Sequence, residues 1–324
     1  MDYKKKLITL RQERKLTKSA LYGGICSKGK YLALEDPSNN TSVTITEMTA
    51  ILDRLGMSWP EFVEYTDLST KKNTSYGRLK LELLDISQNL NDIDSFQKKL
   101  TAFVNKIENQ KFESSQLFST YIAAIHLSVA LSVPITYDQT ELYDYCYELF
   151  QNRNEYYAVD YEIIGNLSIL LDTDRVITLA RYLYPSQLNR GYYHDEFVQI
   201  AAINIIELLI KQKKYNLAEE WIDLLKILIN TSGFIKNPLT ALKLLYLKEE
   251  VSFRKTRNVK HYSELLRYAD IFKDMGETVL HKAILQDSLH QISKEYDIEL
   301  PREHLLYQQH YAEQLDQLED KVDY

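Results

Sequence analysis

Between residues 3 and 66 the apolar positions recur at helical spacing and fall into five short segments. Tyr3–Arg14 places Leu7, Leu10 and Arg11 at helical intervals, with basic groups around the rest of the cylinder. Thr17 offers an N-cap for a second helix, Lys18–Gly23, and Gly23-Gly24 gives the permissive backbone that a tight turn needs. Ser27 can cap a third helix, Lys28–Leu34, which stops before Asp36-Pro37-Ser38-Asn39-Asn40. Thr46–Leu55 reads as a fourth, with Met48, Ile51, Leu52 and Leu55 inside and Gly56 closing it. Ser58 caps a fifth at Trp59-Pro60-Glu61, anchored by Phe62 and Val63.

Leu68–Gly77 is polar, lacks periodic apolar positions and reads as a linker. Beyond it long helices are expected to begin near Arg78, Ser115, Tyr156, Glu196, Asn237 and Glu277. Each is expected to be followed by a shorter partner, near Ser95, Asp138, Asp174, Asn216, Lys260 and Arg302. The long-helix starts lie about 37 to 41 residues apart, close to the period of helical-repeat solenoids. Consensus tetratricopeptide side chains are mostly absent, so the units are degenerate; Tyr215-Asn216-Leu217-Ala218-Glu219-Glu220-Trp221 is the most repeat-like fragment. The expected fold is all-α: a helix-turn-helix domain over 1–66, a linker over 67–77, a right-handed tetratricopeptide-like solenoid over 78–300, and a C-terminal capping helix or tail over 301–324.

Composition supports this. Only 9 Gly and 6 Pro in 324 residues argue against a turn-rich β architecture. Two cysteines, Cys26 and Cys146, are too few for a disulfide framework or a zinc site and point to a reducing cytoplasm. The most apolar stretch, Ala201–Ile210, is interrupted by Asn204 and Glu207 and is far short of the roughly twenty residues a membrane span needs. Met1–Lys6 is basic, but Leu7–Leu10 is too short for a signal-peptide core.

Charge changes the picture more. The first thirty residues hold nine Lys or Arg against two acids, a formal +7 within a chain whose total is −7. A basic end on an acidic body suggests that the end meets a polyanion. Two short helices joined by a tight turn make a helix-turn-helix, whose second helix enters the major groove. Tyr31 and Leu34 should face the core, which turns Ser27, Lys28, Lys30 and Ala33 outward, with Lys18 nearby on the preceding helix. Lys reaches phosphates or guanine edges, while Ser and backbone N–H groups hold phosphates. Gly29 inside this helix is either a local flaw of about 1 kcal/mol relative to Ala or a place where the DNA backbone comes close.

At this point the residues carry a resemblance. Leu21-Tyr22-Gly23-Gly24-Ile25-Cys26-Ser27-Lys28-Gly29-Lys30-Tyr31-Leu32-Ala33-Leu34-Glu35, then Leu55-Gly56-Met57-Ser58-Trp59-Pro60-Glu61-Phe62, resembles the DNA-binding domain of the Rgg/PrgX group. These are cytoplasmic peptide-pheromone receptors of Gram-positive bacteria that act as transcription regulators. The match includes the Ser that opens the recognition helix and the Glu that closes it. It covers about a fifth of the chain, while the remainder agrees in length and helical character. The resemblance implies quorum sensing or control of conjugation, with repression relieved by peptide and activation as the alternative.

A superhelix of helix pairs has a concave surface suited to peptides. An extended peptide exposes N–H and C=O groups that are costly to bury unpaired, and Asn both donates and accepts. Asn166 and Asn204 are polar residues in apolar helix centres, 38 positions apart, and should stand on the same face of successive long helices. Alternatively each is an Asn hydrogen-bonded between packed helices. Pocket walls could come from Ile163, Leu170, Ile200, Leu208 and Tyr246, with Tyr121 and Phe253, although an apolar helix face packs into the core by default. The 25 tyrosines suit stacked helices, with buried rings and wet hydroxyls.

Catalytic signatures are missing. None of the seven histidines sits in an HExxH pair, and GxGxxG, GxxxxGK[ST] and GxSxG are absent. No catalytic residue, metal or cofactor is expected. The sequence therefore reads as a homodimer or tetramer in the cytoplasm, with no membrane partner, that binds an operator in double-stranded DNA and a short hydrophobic peptide pheromone. The competing reading is a helical-repeat interaction scaffold with an N-terminal nucleic-acid anchor.

Overall fold

The protein is described by a computed structural model over residues 3–36, 38–39, 41–66, 75–88, 93–151, 153, 155–184, 195–230, 237–277, 281–282 and 284–297. Among these residues every regular element is helical. The chain divides into two compact units, residues 1–107 and 108–324.

The first unit contains α1 (Tyr3–Glu13), α2 (Lys18–Tyr22), α3 (Lys28–Glu35), α4 (Ile45–Leu55), α5 (Trp59–Tyr65), α6 (Ser75–Gln88) and α7 (Ile93–Ile107). The first five match the periodicity of the sequence to within a residue or two. Leu7, Leu21, Tyr31, Leu34, Ile51 and Phe62 are fully buried in one core, and Val63 is half-buried. The caps are those the sequence advertises. Thr17 Oγ1 accepts the Ala20 N–H at 3.2 Å, and Ser27 Oγ accepts the Lys30 N–H at 3.2 Å. Between α2 and α3, Gly24 takes a φ of +75°, and a side chain at Gly23 would meet the Ser19 carbonyl at 2.9 Å. Helix α6 starts at Ser75, three residues ahead of the expected Arg78, so Ser75–Gly77 belong to a helix and not to a linker. Their polar composition hid this, because a first helical turn needs no apolar anchor. The remainder of the linker, 67–74, lies outside the described residues.

Glu35 ties three of these helices together. Its buried carboxylate receives Arg11 Nε from α1 at 2.6 Å, Lys18 Nζ from α2 at 3.0 Å and the Tyr31 hydroxyl from within α3 at 2.8 Å. Burial pushes the carboxyl up, but the hydrogen bonds from Arg11, Lys18 and Tyr31 outweigh it and hold the group below its ordinary value. Lys4 similarly reaches the carbonyls of Ala33 and Asp36, at 3.5 and 3.4 Å, and that of Asn39, placing a cation at the C-terminal end of α3.

The second unit begins with a single 3-10 turn, Glu108–Gln110, and continues with α8 (Ser115–Ala130), α9 (Gln139–Gln151), α10 (Ala158–Leu167), α11 (Thr173–Leu183), α12 (Asp195–Lys211), α13 (Tyr215–Asn230), α14 (Pro238–Thr256) and α15 (Val259–Asp274). A π-helical segment, Ile284–Leu289, leads into α16 (His290–Tyr296). Helices α8, α10, α12 and α14 pack side by side in that order, and each is followed by its partner. This is a solenoid of helix pairs, and the expected starts on described residues are within three residues of those observed; the helix start expected near Glu277 lies outside the described residues. The expectation that every partner is shorter fails at α10–α11 and at α6–α7, where the second helix is one residue longer. Helix α10 ends early because Ser168 Oγ bonds the Gly165 carbonyl and the chain turns at Leu170. The partner expected near Arg302, and with it the tail over 301–324, lies outside the described residues.

Tyrosine hydroxyls contribute more than water contacts. Tyr161 donates to the Leu183 carbonyl at 2.6 Å, Tyr184 to Val198 at 2.7 Å and Tyr156 to Phe150 at 2.7 Å. Two of these acceptors lie at or next to a helix C-terminus, where carbonyls have no intrahelical partner.

Removing Glu35 should leave Arg11 half-stranded and cost the first unit about 3 kcal/mol, read by urea denaturation of Glu35→Ala. Because the Glu35 carboxyl is held low, its contribution is complete above the ordinary carboxylate range and is lost as pH falls through the lowered value. Glu35→Gln should therefore flatten the acid limb of the stability profile.

Candidate functional site

Two surfaces concentrate the residues singled out by the sequence. On the first unit it is the outward side of α3. Tyr31 and Leu34 point inward, as expected. Ser27, Lys28 and Gly29 are exposed at the start of the helix and Ala33 is half-exposed. Leu32 was not anticipated: it is 39% exposed and lies one helical turn beyond Lys28, on the same face. An apolar side chain there can meet a thymine methyl group. The signal was available, because Leu32 is out of phase with Tyr31 and Leu34, but an apolar residue next to core positions reads as core.

The basic bias is redistributed by folding. Lys4 and Lys6 bond main-chain carbonyls, Arg11 and Lys18 meet Glu35, and Lys30 Nζ meets Glu47 of α4 at 2.6 Å. Lys5, Arg14, Lys15 and Lys28 are exposed. Five of the nine N-terminal cations thus also hold the fold together, three of them on two carboxylates, and the other four are exposed. A Cβ at Gly29 meets nothing within 4 Å, so no packing inside the protein demands glycine at that position.

The second surface belongs to the long helices. Each of α8, α10 and α12 leaves little more than one narrow stripe accessible: Gln116, Ala123, His126 and Leu127 on α8, Val159, Glu162 and Asn166 on α10, and Ile200, Asn204, Glu207 and Leu208 on α12. The stripes are joined by polar contacts. Ser119 Oγ donates to Glu162 Oε2 at 3.0 Å, and His126 Nδ1 to the Asn166 carbonyl at 3.1 Å. Asn204 Nδ2 donates to the Gly165 carbonyl at 3.2 Å, and Lys243 of α14 pairs with Glu207 at 2.8 Å. Burial holds His126 below the usual imidazole range, with the Asn166 carbonyl pulling the other way. The imidazole is thus neutral at neutral pH, with the proton on Nδ1.

Asn166 and Asn204 do stand on adjacent stripes. Each spends one N–H on a carbonyl, Asn166 on Glu162 of its own helix at 2.9 Å and Asn204 across to α10. Both remain half-exposed, and among the described residues no donor reaches either Oδ1. Asn204 therefore bridges packed helices and also faces outward. The apolar candidates separate. Ile200 is 45% exposed and Leu208 half-exposed, one turn to either side of Asn204. Ile163, Leu170, Tyr246, Tyr121 and Phe253 are buried in the packing and do not line this surface. Ile169, 42% exposed just beyond α10, extends the Asn166 stripe in their place.

Among the described residues no cluster of His, Cys, Asp and Glu could hold a metal ion, and no helix is long and apolar enough to cross a membrane. Cys146 is fully buried, and burial pushes its thiol well up.

Residues 103–290 match the family model for the pheromone cCF10 receptor, C-terminal TPR region. No curated protein matches the chain by sequence. Among solved structures, PrgX superimposes with a TM-score of 0.82 at 24% identity, covering 95% of this chain and 99% of that one. The PrgX/iCF10 complex gives 0.83 at 24% identity, covering 96% and 95%. The SHP pheromone receptor Rgg2 of Streptococcus dysgalactiae gives 0.68 at 16%, covering 89% and 99%. At these identities the structures speak for the fold.

Gly29→Ala should raise thermal stability by up to about 1 kcal/mol, since it removes backbone freedom and creates no clash. If position 29 lies against a nucleic-acid backbone, the same substitution weakens duplex binding, measured by titration at fixed salt. Higher stability with unchanged binding marks Gly29 as a local flaw.

Proposed function

The chain belongs to the pheromone cCF10 receptor family defined by its C-terminal TPR region, and on that premise we propose that it is a DNA-binding transcriptional regulator switched by a short peptide. The observation that carries the peptide half is the pair Asn166 and Asn204 on neighbouring stripes, each offering a carbonyl oxygen and a second amide N–H beside exposed Ile169 and Ile200. Such a strip pairs the backbone of an extended peptide while covering its apolar side chains. A solved bacterial peptide pheromone/receptor complex and the PrgX/cCF10 and PrgX/iCF10 complexes share this fold, which supports the assignment of a peptide ligand here. A short, mostly apolar peptide is the ligand, held by Asn166, Asn204, Ile200 and Leu208.

The helix-turn-helix of residues 1–66 is the DNA-reading part, and residues 78–300 carry the peptide site and the contacts of a homodimer. Ser27 caps α3 and supplies a hydroxyl for phosphate, Lys28 is presented to the groove, and Ala33 allows close approach. Lys18 and Lys30 join them only by leaving Glu35 and Glu47. A dimer follows from the geometry of operators, whose half-sites lie about one helical turn apart. Peptide affinity must differ between two arrangements of the assembly for DNA occupancy to respond. The reading is of a cytoplasmic repressor relieved by peptide, without catalytic chemistry or a cofactor.

Two variants should dissociate the halves. Asn166→Ala combined with Asn204→Ala should fold, bind DNA as before and lose about tenfold or more in peptide affinity, since two hydrogen bonds are removed. Lys28→Ala should do the converse, lowering duplex affinity and the salt slope by about 0.9 while leaving peptide affinity intact. Binding of short apolar peptides that is indifferent to both asparagines would remove this site.

A further inference from the structure

The two lysines of α3 are held differently. Lys28 is exposed, whereas Lys30 Nζ lies 2.8 and 2.6 Å from the two carboxylate oxygens of Glu47 on α4. Glu47 is itself fixed from the other side. Its Oε2 accepts the Thr44 N–H at 2.7 Å, and Thr44 Oγ1 accepts the Glu47 N–H at 3.2 Å, closing a capping box at the start of α4. Lys30 and the Thr44 N–H hold the carboxyl below the usual carboxylate range, so it is ionised wherever the protein is folded at neutral pH. The side chains of the pair are 32% and 18% exposed, which leaves the ammonium near the surface but already occupied.

We propose that Glu47 is a specificity-determining residue that withholds Lys30 from the phosphates of non-operator DNA; this rests on the DNA-binding reading above. A lysine ammonium on a flexible stem takes any phosphate within reach, adding affinity that carries no sequence information. Each phosphate so neutralised adds about 0.9 to the salt slope of binding. With Lys30 gripped by a carboxylate that the fold cannot move without opening the α4 cap, α3 meets random DNA through Lys28 and its N-terminal N–H groups. The sequence-independent part of binding stays small, while the groups that reach base edges are untouched.

The test uses the full-length chain and a random-sequence duplex, titrated by fluorescence anisotropy between about 50 and about 200 mM salt. Four proteins are compared: wild type, Glu47→Gln, Lys30→Ala and the double variant. Gln at 47 retains the acceptor for the Thr44 N–H, and thermal melts verify that α4 survives. The expected result is that Glu47→Gln binds the duplex about twofold to fivefold tighter, with a salt slope steeper by about 0.9. Lys30→Ala should bind random DNA with the wild-type slope, and the double variant should behave like Lys30→Ala. An unchanged slope in Glu47→Gln, or tightening that persists without Lys30, overturns the proposal. So does a slope reduced by about 0.9 in Lys30→Ala, a result that stands even if the Glu47 variant fails to fold. Failure of all four proteins to bind any duplex removes the DNA-binding reading as well, whereas an unchanged slope in a protein that binds removes this inference alone.

Discussion

The backbones of α10 and α12 meet at Gly165, where a Cβ would already be in van der Waals contact with α12, 3.4 Å from Ala201 Cα and 3.6 Å from Asn204 Nδ2. At this approach the Asn204 amide donates to the Gly165 carbonyl at 3.2 Å, while the buried face of α12 sets how the helix is turned. Ile200, Asn204 and Leu208 accordingly fall on the accessible stripe, and Val198, Ala201 and Ile205 fall in the core. A side chain larger than Ala at 165 would push the helices apart, and well-packed helices do not absorb an extra volume of that kind without strain. The accessible stripe of α12 thus lies directly over this contact.

The same economy appears in the first unit, where carboxylates decide what the basic residues can do. Glu35 gathers Arg11, Lys18 and Tyr31 and makes a rigid platform of three helices. Glu47 occupies Lys30. What α3 presents is accordingly smaller and more apolar than a list of its lysines suggests: Lys28, Gly29 and Leu32, with Ser27 at the cap. On the proposed reading, a helix of that kind would draw its selectivity from shape and from a few contacts, since phosphate contacts position a protein without carrying sequence information.

Much of this was legible in the sequence, for identifiable reasons. Helix caps are local, so Thr17, Ser27 and Ser58 announce their helices from within four residues, and amphipathic spacing placed Met48, Ile51, Leu52 and Leu55 in the core without knowledge of what they touch. The 38-residue interval between Asn166 and Asn204 put both on accessible stripes because the starts of α10 and α12, at Ala158 and Asp195, are separated by nearly the same number of residues. What escaped is what depends on partners distant in the chain. Nothing near Lys30 says that Glu47 will grip it, and Lys4 reads as a surface charge until α3 ends beside it. Ile163, Leu170 and Tyr246 were expected at the peptide surface since any apolar position of a long helix can face it. Only the packing of α8 and α12 on either side of α10, and of α14 against its own neighbours, reveals that they are core.

Whether peptide and DNA compete through two arrangements of one protein is the claim on which the functional account stands. The most direct measurement is the affinity of the full-length chain for DNA flanking its own coding sequence, with and without saturating short apolar peptide, at one fixed salt concentration. Linkage requires any peptide that changes DNA affinity to have its own affinity changed by DNA to the same factor. The account predicts selective binding to one such fragment and a peptide-dependent shift of about fivefold or more, the usual scale of coupling between sites. Equal affinity for flanking and random fragments, or a peptide that binds at the Asn166–Asn204 surface without altering DNA affinity, would contradict it.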